Sequence, residues 1–220
     1  HQDDTIIDIS EPFSAFTCWI PLEDVSYSNG CMGLIKGGHL LFNNICANPA
    51  DYAQNIKQEY IPILSKYMNW LEIKAGKTII VNHNTPHASL PNFSKKNRLA
   101  IALLMTDSRA TLCNYFKNPK KENSILKYKV NKDFFINYSN ERLLNLYNNN
   151  CLIEEYPISE ELECNQQDMN LSFLENKLFE YGNMPNNKYE LYLKYKNSSS
   201  NKILYKIKNL FRRISNATAT

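Results

Sequence analysis

The sequence predicts a mainly β protein, with its strands in the first half and a helical extension behind them. Three observations carry that reading. Short runs of aromatic and β-branched residues recur between turn signals over residues 1–106. Five of the six glycines and all four histidines lie in the same half. Beyond residue 107 the composition shifts to Asn, Lys and Tyr, and leucines recur at three- and four-residue spacing.

The first strand is Phe13 to Ile20, rich in residues that suit a pleated surface. Pro21-Leu22-Glu23-Asp24 opens a loop, and Ser28-Asn29-Gly30 is a tight-turn signal. Cys31 to Lys36 is a second strand, stopped by Gly37-Gly38. Residues 51–70 read as a helix, because Tyr52, Ile56, Tyr60, Ile63, Leu64 and Tyr67 fall near 3.6-residue spacing. Pro62 predicts a kink or break within it. Gly76-Lys77 turns the chain into a strand from Thr78 to Val81. Arg98 to Met105 is a further strand, its apolar run typical of one covered on both faces.

In the second half, Glu141 to Tyr147 groups Leu143, Leu144 and Leu146, and Leu171, Leu174 and Leu178 form another helical stripe. Asn197-Ser198-Ser199-Ser200-Asn201 reads as a linker. It leads into a basic amphipathic helix with Ile203, Ile207, Leu210 and Ile214 on one face and Lys202, Lys206, Lys208, Arg212 and Arg213 on the other. Such a helix can dock on an acidic partner or an anionic membrane surface, or pack on its own domain. The expected division is 1–106 for the β core, 107–200 for an α-rich accessory region and 201–220 for the basic helix.

Composition excludes several classes. At 43% apolar and 21% charged residues the chain is neither disordered nor collagenous, and 220 residues suffice for a core. No apolar run reaches the 18 residues or so of a transmembrane helix. A net charge of +3 gives no ground for a nucleic-acid partner. The six cysteines form no CxxC pair and no dense scaffold, so reduced thiols and a cytoplasmic location are expected.

Chemistry concentrates in three places. In His1-Gln2-Asp3 the imidazole and the carboxylate, two residues apart in an extended segment, point the same way and can share a metal ion. His83-Asn84-Thr85-Pro86-His87 follows an apolar strand, and either histidine can supply a third ligand. Two His and one carboxylate leave three positions of an octahedral ion open, the arrangement of non-haem Fe(II) oxygenases. Arg98 heads an apolar strand, where a guanidinium needs an anionic partner. A small dicarboxylate suits it, as does an ordinary protein carboxylate.

Taken together, these blocks resemble the phytanoyl-CoA dioxygenase family of Fe(II)/2-oxoglutarate oxygenases. His1-Gln2-Asp3 is similar to the family's first metal motif. The stretch from Trp19-Ile20-Pro21-Leu22-Glu23-Asp24 to Asn29-Gly30-Cys31 resembles its W-x-x-L-x-D and NGC blocks. Ile35-Lys36-Gly37-Gly38-His39 resembles its PGSH block, with Lys36 in place of the usual proline. His87-Ala88-Ser89, Asn92, Ser94 and Arg98 resemble its H-x-S-x-x-N-x-S-x-x-x-R block. The likeness covers residues 1–105.

The resemblance implies a double-stranded β-helix, the jelly-roll or cupin-like barrel, incomplete on its N-terminal side because family members carry a further segment before the HxD motif. It implies iron ligation by His1, Asp3 and His87, with the block spacing favouring His87 over His83. Arg98 and Ser89 would bind the far carboxylate of 2-oxoglutarate, and Trp19 would contact that cosubstrate. His39 is not an implied ligand. O2 is the oxidant, and succinate and carbon dioxide are the co-products. Asp3 argues for hydroxylation, since related halogenases have Ala or Gly there. The substrate is a small molecule, an amino acid or acyl group on a carrier included.

Rival readings are a catalytically inactive cupin-like metal-binding protein, a copper site built on His1 as an N-terminal brace, and an interaction protein working through its basic tail. The brace leaves Arg98 and the NGC block without a role.

Overall fold

A computed structural model of the chain describes residues 1–49, 56–164 and 168–188. Residues 1–184 form one compact unit and 185–220 a second, of which 185–188 are described. Three antiparallel three-stranded sheets organise the first unit.

The first sheet is centred on β1 (Phe16–Pro21), between β4 (Ile79–Asn82) and β6 (Ala100–Met105). Thr17 lies between Val81 and Leu104, and Trp19 between Ile79 and Ala102. The second sheet is centred on β2 (Met32–Leu34), between β3 (Asn69–Leu71) and β5 (His87–Ser89), with Leu34 opposite His87. The third runs β7 (Cys113–Lys117), β8 (Ser124–Lys129), β9 (Ile158–Glu163). Among the described residues there are five short helices: α1 (Gly38–Leu41), α2 (Ile61–Tyr67), α3 (Phe134–Asn137) and α4 (Asn140–Asn148) between strands, and α5 (Leu171–Glu180) after the last one. Among the described residues no helix is long and apolar enough to cross a membrane.

The N-terminal segment stitches this unit together. Asp3 N–H donates to the His83 carbonyl, Thr5 N–H to Cys46, and Asp8 N–H to Thr111. Cys113 N–H returns a bond to Ile6, and Ile7 bridges Leu112. Residues 1–8 thus touch in turn the loop before β5, the segment after α1 and the start of the third sheet.

Several elements differ from expectation. The helix expected over 51–70 is confined to α2, preceded by a 3₁₀ turn at Gln58–Tyr60; residues 50–55 lie outside the described ones. Pro62 does not kink α2. It sits in the first turn, where a missing N–H costs no hydrogen bond. Residues 69–71 are strand: they pair with β2, and Trp70 is buried opposite Gly33 between two half-buried neighbours.

The apolar strand Arg98–Met105 is β6, and it is exposed along its whole length: Leu104 is 57% and Leu103 48% accessible. A continuous apolar run signals burial only when both faces are covered; among the described residues β6 pairs with β1 alone, and exposure at all six successive positions shows that neither of its faces is packed over.

The α-rich region also carries the third sheet. Tyr115, Phe116, Ile125, Leu126 and Tyr128 are buried there, and Phe116, Leu126 and Tyr128 form a core with Phe134, Tyr138, Leu143 and Ile153. Aromatic and β-branched residues favour strands here over a Lys/Asn-rich average that suggests helix or loop. The two leucine stripes do form helices. Ser139 caps α4 through its side chain, Asn170 caps α5, and Leu174 and Leu178 are fully buried. The linker 197–201 and the basic helix 202–214 lie outside the described residues.

Candidate metal centre

Asp3, His1 and His87 each offer a ligand atom, and the three atoms lie within 4.8 Å of one another. His87 Nε2 is 3.5 Å from Asp3 Oδ1, and the His1 and His87 rings meet edge to face with centroids 4.3 Å apart. His87 Nδ1 faces the Thr85 carbonyl at 3.0 Å, which assigns a proton to Nδ1 and turns Nε2 toward Asp3.

Backbone geometry produces this convergence. Residues 1–3 run extended beside the 83–87 loop, so His1 and Asp3 project to one side and Gln2 to the other. Gln2 is buried, and its Nε2 donates to the carbonyls of Phe42 (2.6 Å) and Asn84 (2.7 Å). It fastens the HxD segment to the loop that bears His87. Thr17 Oγ1, from β1, donates to Asp3 Oδ2 at 2.7 Å. Neither Gln2 nor Thr17 is singled out in the sequence as a site residue. The available signals were the alternation around HxD and the place of Thr17 two residues before Trp19 on the same strand face.

The surroundings disfavour isolated negative charge. Burial, reinforced by the Asp3 carboxylate, pushes the Asp4 carboxyl up to about 6. Burial, with Asp4 and Asp3 adding, pushes the Cys46 thiol up to about 12. A divalent cation among Asp3 and two imidazoles would relieve that field, and two neutral nitrogens plus one carboxylate suit iron(II). The donor set and its spread therefore fit the ion.

His83 lies outside the trio. It is buried, its Nδ1 faces the Asp4 carbonyl at 3.1 Å, and its Nε2 has no hydrogen-bond partner. Burial lowers its pKa despite the opposing pull of Asp3, which keeps the ring neutral. His39 is exposed on α1.

Arg98 packs its guanidinium over the Trp19 ring, 5.2 Å from the centroid, and donates to the Gly30 carbonyl. Among the described residues it has no carboxylate partner, so the ordinary ion pair is not what holds it. Gly30 has φ +90°, and a Cβ there would come 2.9 Å from the Leu90 carbonyl oxygen; the turn that presents its carbonyl to Arg98 needs glycine. Thr17 and Trp19, at i and i+2, share the inward face of β1, about 7 Å apart along the strand. One side chain meets Asp3 and the other carries Arg98. Ser89 lies on β5 opposite Met32, is exposed, and makes no hydrogen bond to Arg98.

Comparison with known proteins adds the following. Residues 1–100 match the family described as phytanoyl-CoA dioxygenase (PhyH). A rice (Oryza sativa subsp. japonica) protein named phytanoyl-CoA dioxygenase 1 is 28% identical over 126 residues, covering 53% of this chain and 41% of the relative. An Arabidopsis thaliana protein named phytanoyl-CoA dioxygenase is 31% identical over 110 residues, 49% of this chain and 38% of the relative. A solved structure, the non-heme alpha ketoglutarate dependent carbocyclase SnoK from nogalamycin biosynthesis, is 23% identical with a TM-score of 0.38, covering 51% of this chain and 44% of that one. The matched stretch is about two-fifths of each curated relative's length.

Proposed function

Residues 1–100 of this chain belong to the phytanoyl-CoA dioxygenase family, and on that premise we propose that the chain carries the iron- and cosubstrate-binding part of an Fe(II)/2-oxoglutarate-dependent dioxygenase. The convergence of His1, Asp3 and His87 within 4.8 Å carries the reading. In it, the β4-β1-β6 and β3-β2-β5 sheets are the walls of a double-stranded β-helix, residues 1–106 are the catalytic core, 107–200 an accessory region and 201–220 a basic tail.

His1, Asp3 and His87 hold the iron, and Arg98, Trp19 and Ser89 receive 2-oxoglutarate. Iron so bound, with its cosubstrate, supplies the activation of O2 and the oxidation of a C–H bond. The rest falls to the chain. The Thr85 carbonyl holds the His87 ring through Nδ1, so Nε2 is the nitrogen offered to the ion. Arg98 offers parallel N–H groups to the far carboxylate, and a charge met at the wrong place would cost several kcal/mol in a dry site. Trp19, 7% accessible, blocks water from the inward face of β1. The about 7 Å between Thr17 and Trp19 suits a five-carbon diacid, whose ends are about 5 Å apart at bonds of about 1.5 Å. Asp3 occupies the position that a halide needs in halogenases, so hydroxylation is the reaction proposed. The substrate class is a small molecule, free or carrier-bound.

The test is binding without turnover. The chain is titrated with Mn(II) by electron paramagnetic resonance, then with 2-oxoglutarate by calorimetry. One Mn(II) site that Asp3→Ala abolishes, and a 2-oxoglutarate site that Arg98→Ala abolishes while Mn(II) stays bound, support the proposal. Mn(II) binding with no 2-oxoglutarate site in the wild type would leave the inactive metal-binding reading in its place.

A further inference from the structure

We propose that Thr17 is a positioning residue for the metal centre: its hydroxyl occupies one oxygen of Asp3, so that the carboxylate meets the ion through the other oxygen alone. The proposal rests on the reading of His1, Asp3 and His87 as ligands.

The two oxygens of Asp3 are used differently. Oδ2 accepts from Thr17 Oγ1 at 2.7 Å, a charge-assisted bond. Oδ1 is the oxygen that faces His87 Nε2 at 3.5 Å. Thr17 is thus the donor that engages Oδ2, on the side of the carboxylate away from His87. Carboxylate torsions are broad and two-fold, so a hydrogen bond to one oxygen is an effective way to set the orientation.

Thr17 is well placed to hold it. It sits in the middle of β1 with Val81 on one side and Leu104 on the other, so two ladders fix its backbone. Its branched Cβ restricts χ1, which aims the hydroxyl at little further entropic cost. The HxD segment is held independently by Gln2 and by the backbone bond from Asp3 to His83. Thr17 therefore does not anchor the segment; it orients one carboxylate on a segment already anchored.

The coordination count shows why this matters. Two imidazoles and a one-oxygen carboxylate fill three of six positions, which leaves two for a chelating 2-oxo acid and one more. A carboxylate that bound through both oxygens would take one of those positions. Ligand-orienting hydrogen bonds of this kind are typically worth about 10- to 100-fold in metal affinity.

The experiment compares wild type, Thr17→Val, Thr17→Ser and Asp3→Ala, all as the full 220-residue chain. Each is titrated with Mn(II), and the Mn(II)-loaded forms with 2-oxoglutarate. Thermal unfolding of the metal-free proteins is measured alongside. The expected result is a loss of about 10-fold or more in Mn(II) affinity for Thr17→Val, and recovery to near wild type for Thr17→Ser, which keeps the hydroxyl. Weaker 2-oxoglutarate binding to Mn(II)-loaded Thr17→Val follows from the lost position. If Thr17→Val does not fold, Thr17→Ala takes its place against the same Ser control. Thr17→Val binding Mn(II) as wild type does overturns the proposal, as does equal loss in the Val and Ser variants, which marks a packing role. Equal Mn(II) binding by wild type and Asp3→Ala overturns the metal reading itself, a result distinguishable from the other two.

Discussion

His1 and His87 are paired through their backbones as well as their rings. His87 N–H donates to the His1 carbonyl at 2.9 Å, and the His1 nitrogen donates to the His87 carbonyl at 3.0 Å. Two candidate ligands 86 residues apart are thereby set side by side by main-chain bonds. Their side chains need to supply direction alone.

The ligand assignment predicts a sharp contrast between neighbouring histidines. His87→Ala and Asp3→Ala should each weaken Mn(II) binding by about 100-fold or more, the loss of one of three ligands with its orienting partner. His83→Ala should leave Mn(II) affinity within a few-fold, and its cost should appear in thermal stability, because it removes a buried ring. Mn(II) titration and thermal melts of the three variants check this. A His83→Ala protein that folds but no longer binds metal would move the third ligand to His83.

Arg98→Lys should raise the 2-oxoglutarate dissociation constant by about 10-fold or more while Mn(II) affinity holds, since a point charge replaces a planar fork stacked on Trp19. Gly30→Ala should act in the same direction. It strains a turn at φ +90° whose carbonyl holds the guanidinium. Calorimetric titration with 2-oxoglutarate in the presence of Mn(II) reads both.

Lys127 joins Asp8 at 2.8 Å, with Glu160 at 3.4 Å, and is 10% accessible. Burial alone would raise the Asp8 pKa, but the bonds from Lys127 and Ser10 outweigh it and hold the carboxyl below its ordinary value. A depressed folded pKa means that this stabilisation is present above about pH 4 and is lost as pH falls through the folded value. Lys127→Met should therefore cost about 3 kcal/mol at pH 7, where it strands Asp8. The gap from wild type should narrow below pH 4. Denaturant unfolding at pH 7 and pH 3 measures both.

Asn183 is fully buried and uses its whole amide. Oδ1 accepts from Lys36 N–H (2.8 Å) and Asn69 Nδ2 (2.6 Å); Nδ2 donates to the carbonyls of Lys36 (3.0 Å) and Leu178 (2.9 Å). Asn183→Ala leaves several of these groups unsatisfied and should cost about 3 kcal/mol. Asn183→Asp replaces the Nδ2 donor by an acceptor oxygen facing two carbonyls and should be worse at pH 7 than at pH 4, where its carboxyl can hold a proton. Thermal unfolding at the two pH values gives the comparison.

Much of this molecule can be read from local sequence. The turn at Ser28-Asn29-Gly30, the stop at Gly37-Gly38 and the leucine stripes of α4 and α5 depend on neighbours in the chain, and they stand where their residues place them. The His1, Asp3 and His87 cluster is legible because motif spacing records a geometry that strand alternation enforces. Gln2 is not legible, because its meaning lies in two carbonyls 40 and 82 residues away. The register that sets Thr17 against Asp3 is likewise tertiary. The exposure of β6 is the clearest failure of local reading: the same six apolar residues would spell a central strand or a bare edge, and only the neighbours decide.

Such an edge has a consequence for self-association that is independent of the site. On the side away from β1, β6 has no strand partner among the described residues, and an apolar strand edge of this kind is a template on which extended segments of other molecules nucleate. Lys95, Lys96 and Arg98 place positive charge at its entrance, but from Leu99 to Met105 no charged residue interrupts it. The window has the length, hydrophobicity and neutrality of an aggregation-prone segment. Its growth into larger assemblies would be governed by concentration and by added kosmotropic salt, which strengthens apolar contact. Self-association of the chain should then depend on six residues of one strand, and not on His1, Asp3 and His87.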